Sequence, residues 1–392
     1  MKIIEATNRR AIERLLSPAK KDDRAFERRV CAIVDRVRDG GDKALEGFAR
    51  RFDDVSPPLE VSAGEMRKSA ATVNTAVRRA IAQAAKNIAR VAFQQIPSHL
   101  DITVAPGVVV EQRVEPLARV GCYVPGGRFP LPSSLLMTAV PARVAGVREV
   151  IAVCPRPESA VMAAALAFGT KTVPRVDKIV GPGNRYVAAA KALVARHCAI
   201  DFYAGPTEIV IVAGAGQPAW IAADLVAQAE HDPDARAIFI TRSRALATRV
   251  AKATAAHSAG RGVAERALRA NGAIIIVRTD DEAMRLANRF APEHLVVDRE
   301  RLIARPITAG AVFVGGFTAQ AAGDYATGSN HVLPTAGAAR FRGGLSAADF
   351  VRVMSVQRVT RQGLERLAPT ILPLARAEGL EAHAESIGVR LK

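Results

Sequence analysis

Four short polar segments carry the residue types that bind metals and move protons. Gln228-Ala229-Glu230-His231 falls at the end of an expected helix, just before Pro233. Gln228 and His231 are three residues apart and share one helix face, so an amide oxygen and an imidazole can point at one metal. A surface or capping role suits the same pair. Ala291-Pro292-Glu293-His294 lies between an expected helix ending near Phe290 and a strand at Leu295–Val297. An acid beside a histidine at such a turn suits proton transfer, because the imidazole titrates near neutral pH and the carboxylate tunes or relays. An exposed loop pair is the competing reading. Gly323-Asp324-Tyr325-Ala326-Thr327-Gly328-Ser329-Asn330-His331 is a loop of small polar residues with one carboxylate and one imidazole. Loops of this kind host function more often than packing. In Glu378-Gly379-Leu380-Glu381-Ala382-His383 the end residues are five apart, off-face for a straight helix. Gly379 permits a bend that brings both to one site.

Together the segments offer imidazoles, carboxylates and a neutral oxygen donor, a set that suits a borderline ion such as Zn2+. His99, His197 and His257 sit in ordinary helical or loop contexts. Cys31, Cys122, Cys154 and Cys198 are far apart and form no C-x-x-C pair, so neither a thiolate zinc site nor a disulfide framework is indicated. Two glycine-rich turns, Val120-Gly121-Cys122-Tyr123-Val124-Pro125-Gly126-Gly127 and Val180-Gly181-Pro182-Gly183-Asn184, each follow an expected strand and lead into a helix. Each sets backbone amides at a helix start, where phosphate or ribose docks, though a purely structural turn has the same pattern. Gly214-Ala215-Gly216 also follows a strand, but Pro218-Ala219 stands where a dinucleotide fingerprint requires glycine. That stretch reads as a turn.

Alternating strands and helices must position these segments. Expected strands are Val108–Val114, Val150–Val153, Lys178–Val180, Ile209–Val212, Ala237–Thr241, Ala273–Val277 and Ala311–Val314. Expected helices between them include Asn184–His197, Trp220–Glu230, Arg244–Ala255 and Asp281–Phe290. The alternation predicts an α/β protein with two doubly wound, incomplete Rossmann-like parallel sheets. The N-terminal quarter reads as helical, with Gly40-Gly41 stopping the Phe26–Val37 pattern. After Phe350 the chain reads as a helical tail. The expected organisation is 1–121, helical with part of the main unit; 122–206, nucleotide-binding; 207–345, main unit; and 346–392, tail.

The chain has 392 residues, 49% apolar and 24% charged, enough for a large core. Its net charge is +17, but the basic residues are dispersed and not interleaved with aromatics. That favours a solvated basic surface over a nucleic-acid partner. No apolar run is long enough to span a bilayer, and the start turns polar too soon for a secretory signal. A cytoplasmic location is expected.

The blocks VGCYVPGGRFPLPSSLLMTAVPARVAGV, VDKIVGPGNRYVAAAK, DFYAGPTEIVIVA, ADLVAQAEHDPDA, NRFAPEHLVV, GDYATGSNHVLPT and EGLEAH together resemble the histidinol dehydrogenase family. The N-terminal RDGGDKALEGFARRFD is also similar to the family's opening region, so the resemblance covers nearly the whole chain in order. It implies oxidation of L-histidinol to L-histidine in two NAD-linked steps, through an aldehyde held on the enzyme. It implies one Zn2+ per subunit on Gln228, His231, Asp324 and His383. Glu293 and His294 match the catalytic pair, His294 as general base and Glu293 activating water for the second oxidation. Thr207, Gln228, His231, His294, Asp324, His331, Glu378 and His383 match positions at or near the substrate. Tyr123 and Asn184 match NAD-contacting positions. A homodimer is implied, with the tail crossing so that Glu378 and His383 act in the partner's site.

Two departures stand out. The family's GGAQA block is absent; Val153-Cys154-Pro155-Arg156-Pro157-Glu158 runs almost directly into Ala160–Gly169, and Val161 falls where a glutamine touches NAD. About one βα unit is missing. Gln320 stands where the family has glutamate, four residues before Asp324. The alternatives are a paralogue oxidising another small alcohol, such as a sulfonated diol, and a non-catalytic zinc-binding relative.

Overall fold

The computed structural model describes residues 1–17, 23–126, 131–155, 160–203 and 205–392. Strand β1 (Lys2–Glu5) opens the chain, and the helices Arg9–Leu16, Arg24–Phe48, Ala63–Thr72 and Thr75–Gln94 follow. Gly41, at φ 51 and ψ −136, kinks the Arg24–Phe48 run where the sequence predicts a stop. Strands β2 (Leu100–Ala105) and β3 (Val108–Pro116) pair antiparallel. Strands β4 (Arg119–Tyr123), β5 (Glu149–Val153), β6 (Lys178–Val180) and β7 (Ala199–Ile200) make a parallel sheet of order β5-β4-β6-β7. Strands β8 (Glu208–Val212), β9 (Arg236–Thr241), β10 (Ala273–Ile276), β11 (His294–Val297) and β12 (Ala311–Val314) join β1 in a larger parallel sheet of order β1-β10-β9-β8-β11-β12. Strand β13 (Val351–Val359) lies antiparallel to β3, giving a third sheet of order β13-β3-β2.

The large sheet is parallel because its strands are near-continuous β-branched runs, buried on both faces. Period-two alternation splits β8 between two cores. Ile209 and Ile211 pack with Leu225, Leu246 and Val250; Val210 and Val212 pack with Ile12, Met284 and Phe290. Each such buried aliphatic contributes about 1.5–3 kcal/mol. The smaller sheet is sandwiched likewise. Helices Arg24–Phe48, Val161–Phe168 and Arg185–Val194 cover one face, and Pro132–Val144 with Thr75–Gln94 cover the other.

The expected α/β architecture is present; strands β2, β4 and β7 lie outside the expected strands, the antiparallel sheet β13-β3-β2 lies outside the expected parallel ones, and two further features differ. The segment after Phe350 enters the tail as strand β13, not as helix; helices Arg361–Ala377 and Glu381–Leu391 come only afterwards. Most of β13 is exposed, and the apolar residues of VRVMSVQRV fall on both faces, so its alternation is faint and nine-residue pairing with β3 decides the conformation. Strand β1 was also not expected. Four residues with charged ends give no periodic signal, and pairing with β10 makes them a strand. Among the described residues, no helix is long and apolar enough to cross a membrane.

Candidate active site

A cleft of about 320 Å³ lies between the two parallel sheets. Pro125, Pro182, Gly183 and Asn184 line it just beyond the carboxyl ends of β4 and β6. The strand order reverses between these two strands, which is where open α/β sheets bind ligands. Thr207, Glu293 and His294 line the opposite wall, at the amino ends of β8 and β11. Gln228 and His231 come from the end of helix Pro218–Ala229 and the turn after it. Gln320 and Asp324 share a face of the short helix Gln320–Tyr325, and His331 follows in the loop.

Hydrogen bonds set the side chains. Gln228 Nε2 donates to Thr207 Oγ1, and Thr207 Oγ1 donates to Glu293 Oε2. The Glu208 backbone N–H also donates to Glu293 Oε2, at 3.0 Å. With its NH2 committed to Thr207, the fully buried Gln228 keeps Oε1 without a hydrogen-bond partner. His294 Nδ1 lies 3.2 Å from the Glu208 carbonyl, which only accepts, so Nδ1 carries the proton. His294 Nε2 then accepts from Gln320 Nε2 at 3.2 Å, and the same amide donates to Asp324 Oδ2 at 2.7 Å. His331 Nδ1 is bound to the Asp324 carbonyl at 3.1 Å.

Burial dominates the electrostatics. Glu293 is pushed up to about 7 by desolvation, against the hydrogen bonds from Thr207 and Glu208. His294 and His331 are lowered by desolvation, against the pull of Asp324. Glu208 is also pushed up to about 7 by burial. Arg236, at 3.2 Å, opposes this, but it meets only Oε1 and leaves Oε2 buried and unpartnered. A carboxyl poised near neutrality beside a neutral imidazole can exchange protons with a bound molecule.

The donor set fits a divalent ion. An unpartnered buried amide oxygen costs free energy unless something binds it, and Gln228 Oε1 sits in a cleft that His231 and Asp324 also line. Among the described residues, the tight cluster of three histidine or carboxylate groups is elsewhere, at His99, Asp101 and Glu111 on the antiparallel sheet. There Arg113 at 2.8 Å and Arg358 at 2.5 Å already neutralise Glu111, so a cation is disfavoured.

The fold thus brings Thr207, Gln228, His231, Glu293, His294, Asp324 and His331 to one cleft, with Asn184 on the facing wall. Asn184 Oδ1 caps its helix, bound by the amides of Tyr186 and Val187. Tyr123, in contrast, is fully buried in the core of the smaller sheet. Glu378 and His383 are exposed in the tail and do not line their own chain's cleft. Gly127 and the Arg156–Glu158 stretch lie outside the described residues. The Gly214-Ala215-Gly216 stretch is a turn. The carboxylate of Asp298 caps the amides of Gly214 and Ala215 at 2.8 and 3.2 Å, filling the place a phosphate would take. Sequence reasoning missed Glu208, whose backbone orients both catalytic candidates. A backbone role leaves no residue-type signal.

The histidinol dehydrogenase family model matches residues 16–164 and again 159–391. Histidinol dehydrogenase from Methanothermobacter thermautotrophicus is 40% identical, covering 100% of this chain and 99% of that protein. That alignment runs over 424 positions against the 392 residues here, leaving about 32 without a counterpart in this chain. The enzyme of the same name from Geobacter sulfurreducens is 42% identical over 96% of each chain. Among solved structures, histidinol dehydrogenase from Elizabethkingia anophelis superposes with a TM-score of 0.94 at 30% identity, covering 100% of this chain and 98% of that one. Full-length similarity in sequence and in fold therefore makes this chain a member of the histidinol dehydrogenase family of oxidoreductases.

Proposed function

We propose that this chain oxidises L-histidinol to L-histidine through the aldehyde, in two NAD-linked steps with one Zn2+ per subunit, closing histidine biosynthesis. The observation that carries the reading is the relay from Gln228 through Thr207 to Glu293, which leaves Gln228 Oε1 buried and unpartnered in the cleft. Gln228, His231 and Asp324, with His383 of a second copy, would hold the ion. Bound there, Zn2+ supplies a Lewis-acid anchor for the substrate's amine and imidazole nitrogens, and NAD supplies the hydride acceptor. His294 Nε2 takes the hydroxyl proton, while Nδ1–H stays on the Glu208 carbonyl. Glu293 takes a proton from water for the second oxidation, since burial sets it near neutrality. The carboxylates of Glu293 and Asp324, and Glu378 of a second copy, favour a cationic amino alcohol. The turn Gly181–Asn184 is the reading's cofactor wall.

A homodimer with exchanged tails belongs to this reading. Glu378 and His383 lie outside their own cleft, and the chain keeps large apolar side chains exposed elsewhere. Ile102, Val104 and Val353 are exposed on the antiparallel sheet, as are Leu374 and Val389 on the tail. Gln320 favours one alternative, a paralogue for a small alcohol without the amine. It removes a negative charge four residues before Asp324.

The test is NADH formation from L-histidinol, with and without chelator, for wild type and His294→Ala. Turnover that chelator and His294→Ala both abolish supports the reading. No turnover by folded, zinc-loaded protein, with turnover of a sulfonated diol instead, moves the assignment to the paralogue.

A further inference from the structure

Lys191 and Asp201 form an ion pair whose side chains are 3% and 0% exposed. Neither lines the cleft. Burying both charges is costly, and a well-packed apolar pair generally serves stability as well or better. This pair is instead bonded to backbone at two neighbouring strand ends of the smaller sheet, Gly181 after β6 and Phe202 after β7. Asp201 Oδ2 accepts from the Gly181 N–H at 2.8 Å, and Asp201 Oδ1 accepts from the Phe202 N–H at 2.7 Å. Lys191 Nζ donates to the Gly181 carbonyl at 3.0 Å and sits 5.9 Å from the centre of the Phe202 ring.

Gly181 opens the turn whose next residues, Pro182, Gly183 and Asn184, form the cofactor wall. It holds φ +116, and an added Cβ would collide with the Tyr123 carbonyl oxygen. Phe202 also lines the cleft, just beyond the end of β7, the strand beside β6. One buried pair thus fixes both polar groups of Gly181 and ties that turn to Phe202 at the neighbouring strand end.

We propose that Lys191 and Asp201 are a positioning pair that sets the Gly181–Asn184 turn against Phe202, and so sets where NAD lies relative to the substrate. The proposal rests on the reading that this cleft takes NAD. Neither residue touches a reactant; both act through Gly181 and Phe202.

The experiment uses full-length, zinc-loaded protein and the variant Lys191→Met/Asp201→Asn, which removes both charges and strands neither. NAD affinity is measured by titration, zinc affinity by chelator competition, and kcat with KM for each substrate by NADH formation. The pair predicts NAD binding weakened about tenfold and kcat lowered by about as much, the scale expected when a reacting partner is held loosely. Zinc affinity and KM for L-histidinol should stay within about twofold, because the pair bonds no residue of the metal wall. If the double variant folds poorly, Lys191→Leu/Asp201→Ser, which also leaves neither charge unpaired, is read the same way. A folded variant with NAD affinity and kcat unchanged overturns the pair while leaving the function intact. Wild type that binds no NAD at all overturns both.

Discussion

At the residue scale, one amide and one hydroxyl decide what the cleft can do. Gln320 donates to both His294 Nε2 and Asp324 Oδ2. A carboxylate in its place would favour the imidazolium. Gln320→Glu should therefore move the acid limb of the kcat/KM profile to higher pH. An unmoved limb would remove either His294 as the base or Gln320 as its neighbour. Thr207 accepts from Gln228 and donates to Glu293. Thr207→Val leaves the Gln228 amide unoriented and should weaken zinc binding about 10–100-fold, the usual cost of losing a hydrogen bond behind a ligand. Thr207→Ser keeps the hydroxyl and should keep the affinity. Chelator competition reads both variants.

At the element scale, β8 and β11 place two acids, Glu208 and Glu293, at buried strand starts. Burial raises both from 4.5 to about 7. The native form then holds protons more tightly than the unfolded chain. The associated stability is full below about 4.5 and is lost as pH rises through about 7. The urea midpoint of zinc-free protein should fall from pH 5 to pH 8. In Glu208→Gln the loss of unfolding stability between pH 5 and pH 8 should be smaller by up to about 3 kcal/mol; an equally steep loss in the variant would mean that Arg236 keeps Glu208 ionised throughout. The two parallel sheets use opposite strand ends. The smaller offers its carboxyl edge to the cleft, whereas the larger offers its amino edge and fills its own carboxyl-edge turn with Asp298.

At the scale of the whole molecule, the cleft has only part of its implied ligand set. His383 is exposed in the tail, which also exposes Leu374, Leu380 and Val389. If sites are shared, His231→Ala and His383→Ala chains complement each other, because a mixed dimer holds one site with every ligand. Each mixed dimer should regain about half the wild-type activity, since one of its two sites keeps every ligand. Verified heterodimers that stay inactive would rule out the exchanged tail.

The amino-acid order by itself determined the alternation of β-branched runs and amphipathic helices, since periodicity is local. It also marked the donor residues as chemical candidates. It left β1 and β13 invisible, because pairing with β10 and β3 supplies what their short or unpatterned sequences lack. Tertiary structure alone decided the site. Thr207 and Glu293 are 86 residues apart and meet only because β8 and β11 are neighbours. Only that meeting turns the Gln228 amide so that its oxygen is left for a ligand. The proton affinities of Glu293 and His294 follow from burial, a property of the packed molecule that no local spacing encodes.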